Sequence, residues 1–137
     1  MLILDTDHLT ALQRGDATLR KSLAENDERA VTTIVSIGEQ MKGMAALVSG
    51  AKSAGTVMAS YARMHAWCAQ VASLPILGWD DQAAAAFQSL RQQRIRIGTM
   101  DLRIAAIVLS RNARLLTRNT KDFDRIPSLR HEDWIEA

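Results

Sequence analysis

Residues 1–9 read MLILDTDHL, a short apolar run that ends in an acid and is followed at once by more polar residues. A compact apolar run of this kind is typical of a buried β-strand. We therefore predict a strand over residues 1–5 with Asp5 at its carboxyl end, where the functional sites of parallel sheets form. A short helix over residues 8–14, stopped by Gly15, is predicted to follow.

Strand-like and helix-like segments alternate through the rest of the chain. Further strands are predicted at residues 30–35, 74–77 and 113–117, and a loop at 118–124. One helix is predicted after the cap Asp16, and two more over residues 36–48 and 54–73. A fourth runs from Asp80 or Asp81 through Leu90, and a fifth from the cap Thr99 through Leu109. Strands separated by helices imply right-handed crossovers, so we predict an α/β fold with a parallel sheet and helices on both faces.

The segment 54–73 carries one apolar stripe at helical spacing, formed by Val57, Tyr61, Met64, Cys68 and Val71. Such a stripe is typical of the buried face of a helix. We therefore expect Cys68 to be an inert thiol in the core.

Length and composition favour one domain covering residues 1–137 and exclude several classes of protein. The single cysteine cannot form an internal disulfide, which argues against an oxidising compartment. No apolar run approaches the roughly 20 residues of a membrane helix. No basic segment precedes the first apolar run, as it would in a signal peptide. We expect a soluble, cytoplasmic protein with no membrane partner.

Positive charge is concentrated in residues 91–130. The net charge of the chain is +2, but this window holds ten basic residues against three acids, a balance of +7. Nine of the ten are arginines, which suit bidentate contacts with phosphate. The pattern fits a nucleic-acid partner, and it fits an ordinary solvated surface equally well.

Four acids follow a predicted strand or open the helix after one, so they should meet at one edge of the sheet. They are Asp5 after the first strand, Glu39 in the first turn of the helix after the second, Asp101 in the first turn of the Thr99 helix, and Asp122 in the loop after the strand at 113–117. Converging carboxylates cannot all stay ionised without a counter-charge. Mg²⁺ or Mn²⁺ is the natural one, because hard cations prefer carboxylate and water oxygens.

Each acid also has a purely structural interpretation. Ser36 and Glu39 fit a capping box, and Asp101 can complement the dipole of its helix. Asp122 and the nearby Asp124 can be ordinary loop acids. The joint placement of the four acids, rather than any one of them, favours a metal site.

Four segments resemble the PIN-domain family, and in particular the VapC/FitB-type toxins of bacterial toxin–antitoxin pairs. They are LILDTDHL at 2–9, IGEQMKG at 37–43, IGTMDLRIAAIVL at 97–109 and LLTRNTKDFDRIPSL at 115–129. The resemblance spans essentially the whole chain and implies a small three-layer α/β/α sandwich around a parallel sheet. It also implies an endoribonuclease that depends on Mg²⁺ or Mn²⁺, forms a homodimer, and is held inactive by a cognate antitoxin.

Carried over position by position, the resemblance matches Asp5, Glu39, Asp101 and Asp122 to the acidic quartet of the family. Asp5 and Asp101 would be the principal metal ligands, and Glu39 and Asp122 would complete the shell directly or through water. The metal would activate water for attack on a phosphodiester bond of RNA.

Five more residues receive roles, three of them from the same resemblance and two, Arg118 and Lys121, from the mechanism that we hypothesise. Thr6, Thr117 and Asn119 match polar companions that orient carboxylates or water near the metal. Arg118 and Lys121 could hold flanking phosphates of the RNA, which would make binding sensitive to salt.

Two departures from the family pattern concern the acids. Many relatives carry Asn where this chain has Asp7, which adds a possible extra acid beside the site. The last motif offers both Asp122 and Asp124, and the acid before Phe123 is the usual one, so Asp122 is favoured. His8, next to Asp7, is interpreted as a surface or packing residue.

Two other functions are compatible with the sequence. One is a haloacid-dehalogenase-type phosphatase, because Asp5-Thr6-Asp7 resembles the motif that carries its nucleophile. Leu9 stands where that family has Thr or Val, and no late Gly-Asp pair is present. The other is a PIN-like binding module with weak or no nuclease activity, which acts through its partner.

Overall fold

The computed structural model describes residues 1–135, which contain one five-stranded sheet and seven helices. The strands are β1 (Leu2–Leu4), β2 (Ala30–Thr33), β3 (Ile76–Leu77), β4 (Arg114–Leu116) and β5 (Arg130–Glu132). The helices are α1 (Thr6–Gln13), α2 (Ala17–Ala24), α3 (Ile34–Gly50), α4 (Ala54–Ala72), α5 (Asp81–Gln92), α6 (Thr99–Ser110) and α7 (Thr120–Phe123). Strands and helices therefore alternate much as the sequence predicts.

The sheet is parallel throughout, with strand order β3-β2-β1-β4-β5. The central strand β1 pairs Ile3 with Val31 of β2 on one side and with Leu115 of β4 on the other. The chain builds β2 and β3 to one side of β1 and then crosses to build β4 and β5 on the other side. The strand order thus reverses between β1 and β4, the place where ligand sites form in sheets of this type.

The burial of β1 shows that helices cover both faces of the sheet. Leu2, Ile3 and Leu4 are each 0% exposed, although successive side chains of a strand point to opposite faces. Ile3 packs in a cluster built largely from α6, whereas Leu2 and Leu4 pack with Leu9 of α1 and Trp67 of α4. The predicted three-layer α/β/α sandwich around a parallel sheet is confirmed.

The start of α3 differs from the prediction and changes the interpretation of Glu39. The helix begins at Ile34, after the N-cap Thr33, whose Oγ1 accepts a hydrogen bond from the Ser36 backbone N–H at 3.1 Å. The predicted capping box of Ser36 and Glu39 is therefore wrong, and Glu39 lies in the second turn rather than the first. The cap forms early because β2 ends at Thr33, whose extended backbone places its hydroxyl over the first helical turn.

Other differences lie around α6 and the last strands. The N-cap of α6 is Gly98, with no side-chain cap, so the prediction that Thr99 is the cap is wrong. The predicted loop at 118–124 contains the short helix α7. Strand β5 was not predicted, because its residues Arg-His-Glu are polar and lie at an edge of the sheet, where no apolar run marks them.

Most of the apolar stripe predicted for α4 does not face the core, although Val71 at its end packs against it. Tyr61 is 55% exposed and Cys68 is exposed, so the prediction of a buried thiol is wrong. The buried residues of α4 are Ser60 and Trp67, and the Trp67 indole N–H donates to Gln40 Oε1 of α3 at 2.8 Å. Within residues 1–135, none of the helices is both long and apolar enough to cross a membrane.

Candidate active site at the carboxyl edge of the sheet

The candidate site lies where β1 and β4 end side by side. Asp5 directly follows β1 and Thr117 directly follows β4, and the Asp5 backbone N–H donates to Leu116 O at 2.9 Å. Parallel pairing brings the two carboxyl ends to the same edge. The switch point of the sheet therefore presents an acid and a hydroxyl next to each other.

Asp5 is nearly buried, with 5% of its surface exposed. It is the N-cap of α1, and its Oδ1 accepts from the Thr6 backbone N–H at 2.7 Å. Its Oδ2 accepts from the Thr117 hydroxyl, also at 2.7 Å. Burial raises the pKa of Asp5 to about 6, against the lowering effect of the Thr117 hydrogen bond, and the charges of Asp7 and Asp101 raise it further.

Glu39 reaches the same edge from the second turn of α3. Its Oε1 accepts a hydrogen bond from Thr6 Oγ1 at 3.2 Å. Partial shielding of the carboxylate from water raises the pKa of Glu39, and the nearby charges of Asp101 and Asp7 act in the same direction. Thr6 thus links the first and second predicted acids, with its N–H on Asp5 and its hydroxyl on Glu39.

Asp101 and Asp122 are joined by one side chain. Asn119 Nδ2 donates to Asp101 Oδ2 at 2.9 Å and to Asp122 Oδ2 at 3.1 Å. The Asn119 backbone N–H in turn donates to Thr117 Oγ1 at 3.0 Å, which connects this pair to Asp5. Partial burial raises the pKa of Asp101, with the Asp122 charge as the next cause, while the Asn119 hydrogen bond lowers it.

An open cleft of about 790 Å³ runs over these groups. It is lined by Asp5, Thr6, Asp7, Thr10, Ala11, Arg14, Gly15, Asp16, Glu39, Asp101, Arg118, Asn119 and Ile135. Three of the four predicted acids thus face the cleft directly, and Asp122 adjoins it through Asn119. Of the two predicted phosphate-binding residues, Arg118 lines the cleft, whereas Lys121 is exposed on α7 outside that lining.

The two acids of the last motif lie in different surroundings. Asp122 accepts from Asn119 within the cluster, whereas Asp124 Oδ1 lies 2.9 Å from His131 Nε2, and the Asp124 side chain is 72% exposed. The arrangement gives Asp122, rather than Asp124, a place among the gathered acids.

Sequence reasoning missed the wall of the cleft. Thr10 and Ala11 of α1 and its C-cap Arg14 line the cleft beside Asp7, which the sequence identifies only as a possible extra acid. Their spacing of three, four and seven residues is the signal that could have identified this face, since residues at that spacing share one side of a helix.

The donor set fits a hard divalent cation by its chemistry. The clustered groups offer carboxylate oxygens. Burial, and after it the charges of neighbouring acids, raises the pKa values of Asp5, Glu39 and Asp101. Within residues 1–135, no three His, Cys, Asp or Glu side chains are already drawn together as a ready-made metal-binding group. In this arrangement the N–H and O–H groups of Thr6, Thr117 and Asn119 supply the partners of the carboxylates.

The fold and the site together define a class of protein: a three-layer α/β sandwich with acids gathered at the switch point of its parallel sheet. Residues 2–129 match the PIN domain family, so the chain belongs to that family.

The chain is similar to several characterised relatives. It is 50% identical over 46 residues to "Ribonuclease VapC" of Rickettsia bellii, which is 34% of each chain. It is 37% identical over 68 residues to "tRNA(fMet)-specific endonuclease VapC" of Salmonella typhimurium, 47% of this chain and 52% of that one. The chain therefore spans about a third to a half of the length of these curated relatives.

Two solved structures share the fold over nearly the full length. VapBC2 from Rickettsia felis, bound to a DNA fragment from its promoter, superposes with a TM-score of 0.74 at 22% identity, over 98% of each chain. DNA-bound VapBC from Salmonella typhimurium gives a TM-score of 0.70 at 24% identity, also over 98% of each chain. These likenesses show the fold.

Proposed function

We propose that this protein is a metal-dependent endoribonuclease and the toxin of a toxin–antitoxin pair, with residues 1–137 acting as one PIN domain in the cytoplasm. The observation that carries the proposal is that Asp5, Glu39 and Asp101 face one cleft while Asn119 ties Asp101 to Asp122. Relatives named as ribonucleases, in a family to which the chain belongs, support RNA as the substrate class.

In this proposal Asp5 and Asp101 are the principal ligands of Mg²⁺ or Mn²⁺, and Glu39 and Asp122 take part directly or through water. When bound, the cation activates water and stabilises the charge that develops on the phosphodiester. The raised pKa values of Asp5, Glu39 and Asp101 support this assignment, because burial and the charges of neighbouring acids disfavour the ionised carboxylates, and a bound cation compensates both effects.

The neutral residues of the site hold the carboxylates in position. Thr117 donates to Asp5 and accepts from the Asn119 backbone, so it fixes the acid of β1 to the segment after β4. Thr6 holds Glu39 from the first turn of α1. Asn119 keeps Asp101 and Asp122 on either side of one amide group. Such partners of ligand residues fix their orientation before the substrate arrives.

Two arginines of the cleft supply the contacts that we propose for the RNA backbone. Arg14 and Arg118 are both exposed and line the cleft from two segments of the chain, the C-cap of α1 and the turn after β4. Contacts of this type weaken as salt rises, because bound phosphates release their counterions. A role for Lys121 in holding phosphate remains a prediction.

The proposal is tested by incubating purified protein with total RNA in Mg²⁺ or Mn²⁺ and mapping the new ends by sequencing. We expect cleavage at defined positions that stops in EDTA and resumes when Mn²⁺ is added back. Intact RNA with all metals would instead support the binding module. Turnover of a phosphate monoester with phosphate trapped on Asp5 would support the phosphatase.

The two acids of the last motif give a matched pair of variants. Asp122→Asn should lower the rate of RNA cleavage by about 10- to 100-fold, because it removes a charge from the cluster joined by Asn119. Asp124→Asn removes the same charge two residues away, on an exposed side chain paired with His131, and should change the rate less than about twofold. Rates measured at saturating Mn²⁺ decide between them, and the reverse order would exchange their assignments.

The proposed partners are a cognate antitoxin and a second copy of the chain. The structural neighbours include complexes described as VapBC and FitAB, and VapBC-5 from Mycobacterium tuberculosis is described as a member of a family of toxin–antitoxin systems. A groove lined by the exposed Ile34, Trp79 and Met100 adjoins the site at Glu39 and offers an apolar surface for the homodimer. We expect light scattering to report twice the chain mass of 15.1 kDa. We also expect expression of the protein to inhibit growth and a co-expressed antitoxin to relieve this inhibition.

A further inference from the structure

Asp7 and His8 form a chain of hydrogen bonds that the proposed metal site does not use. Asp7 Oδ1 lies 2.7 Å from His8 Nδ1, and Asp7 Oδ2 accepts from the Arg118 backbone N–H at 3.0 Å. His8 is 0% exposed, and its Nε2 accepts from the Trp134 backbone N–H at 3.0 Å. Two adjacent residues of α1 thus hold both the turn after β4 and the segment after β5.

The direction of these bonds is fixed from both ends. The Trp134 N–H can only donate, so His8 Nε2 must be the nitrogen without a proton. His8 then carries its proton on Nδ1 and donates to Asp7, since a neutral imidazole has one donor and one acceptor. At the other end the Arg118 N–H also donates, so both oxygens of Asp7 must accept. A carboxylate satisfies this requirement, whereas an amide offers one acceptor and one donor group.

Asparagine at position 7 would therefore conflict with His8. If its oxygen accepted from Arg118, its amide group would face His8 Nδ1 and require the other tautomer. The proton on Nε2 would then point at the Trp134 N–H, so that two donors would face each other in a buried place. The nearest alternative acceptor, Asp133 Oδ1, lies 3.5 Å from Nε2 and already accepts from the Ile135 N–H at 2.9 Å.

We propose that Asp7 and His8 are positioning residues. They form a relay of hydrogen bonds that runs from the Trp134 N–H through His8 and Asp7 to the Arg118 N–H, and this relay sets the position of Asn119. Arg118 directly precedes Asn119, whose amide holds Asp101 and Asp122. Each oxygen of Asp7 is engaged in one of these hydrogen bonds, and Asp7 is not counted among the metal ligands. The catalytic part of this inference rests on the proposed nuclease function, but the state of the His8 ring does not.

The first test needs neither metal nor RNA. Long-range proton–nitrogen correlation NMR of the wild-type protein near neutral pH reports which ring nitrogen of each histidine carries a proton. We expect His8 to be neutral with its proton on Nδ1, and the signal is assigned as the one that remains in His65→Gln and His131→Gln. A proton on Nε2, or on both nitrogens, would overturn the relay whatever the activity of the protein.

The second test compares Asp7→Asn with Asp27→Asn, the same change at an exposed acid of the loop before β2. In Asp7→Asn we expect loss of the Nδ1–H tautomer, faster hydrogen exchange at the Trp134 amide, and a kcat for RNA cleavage about 10- to 100-fold lower with KM little changed. Asp27→Asn should match the wild type in all three. An unchanged kcat in Asp7→Asn would overturn the positioning role. If wild-type protein cleaves no RNA, the proposed function fails, and the NMR result still decides the relay.

Discussion

Replacing Asp5 or Asp101 by asparagine is expected to lower metal-dependent RNA cleavage by roughly 100- to 1,000-fold or more. Both changes keep the size of the side chain and remove the negative charge, and a neutral amide is a poor ligand for a hard cation. Asp5 accepts two hydrogen bonds from fixed neighbours and Asp101 accepts one from Asn119, so both carboxylates are already held in position for the ion. The rates are measured with one RNA at saturating Mn²⁺.

Asp27→Asn is the matched control for this pair. It removes the same charge from an exposed acid of the loop that enters β2, whereas the cluster lies at the carboxyl ends of the strands, and it should retain the wild-type rate. Circular dichroism and the midpoint of thermal unfolding report whether each variant is folded. Folded Asp5→Asn and Asp101→Asn proteins that both keep full, metal-dependent activity would contradict the assignment of these ligands.

The second large effect concerns stability: the same variant, Asp5→Asn, is expected to be more stable than the wild type although it loses activity. In the absence of metal, Asp5→Asn is expected to raise the free energy of unfolding near pH 8 by up to about 3 kcal/mol. Burial raises the pKa of Asp5 from 3.8 to about 6, so the folded protein holds this carboxylate at a cost once it ionises. Asparagine avoids that cost and keeps the cap of α1, since it caps helices as well as aspartate does. Its amide nitrogen cannot accept the hydrogen bond from the Thr117 hydroxyl, and this loss is why about 3 kcal/mol is an upper bound.

The pH range of the effect follows from the two pKa values. Well below about pH 4 Asp5 is neutral in both the folded and the unfolded chain and contributes nothing to the pH dependence. As pH rises towards about 6 the unfolded chain loses the proton first, so the stability of the wild type falls, and above that it levels off. Urea unfolding in EDTA at pH 5 and pH 8 should show the advantage of Asp5→Asn growing with pH. An advantage that is absent or shrinks over this range would show that burial does not strain the carboxylate.

The arrangement of the sheet could be derived from the sequence because its signals are local. The run Leu2–Leu4, bounded by an acid, marks the central strand, and helical spacing marks most of the segments that follow. Because strands and helices alternate, the simplest fold is a parallel sheet with helices on both faces. The carboxyl edge follows from this topology, which is why Asp5 and Asp101 could be selected before any coordinates.

What could not be derived depends on contacts between distant segments. The stripe of α4 that contains Tyr61 is predicted to be buried. In the structure Tyr61 is exposed and Trp67 is buried instead, with its indole N–H hydrogen-bonded to Gln40 of α3. Polar β5 carries no apolar signal, and it joins the sheet by pairing with β4. His8 needs the Trp134 amide, which lies 126 residues away in sequence. Spacing along the chain holds no information about such partners.

The chemistry of the site shows the same division. Residue types and strand ends predict that acids converge, but which neutral residues hold them depends on side-chain geometry. Asn119 illustrates this point, because only the structure shows its one amide group shared between Asp101 and Asp122. Thr117 likewise joins Asp5 to the Asn119 backbone, a link that spans two strands.

Manganese binding tests the central claim most directly, because it needs no knowledge of the RNA target. Free Mn²⁺ is followed by electron paramagnetic resonance while it is titrated into wild type, Asp5→Asn, Asp101→Asn and Asp27→Asn. Asp5, Glu39, Asp101 and Asp122 hold the ion together in our account. Wild type and Asp27→Asn should then bind alike, and the other two variants at least about tenfold more weakly. Equal affinity in all four proteins would mean that the ion binds elsewhere or not at all, and would contradict the account.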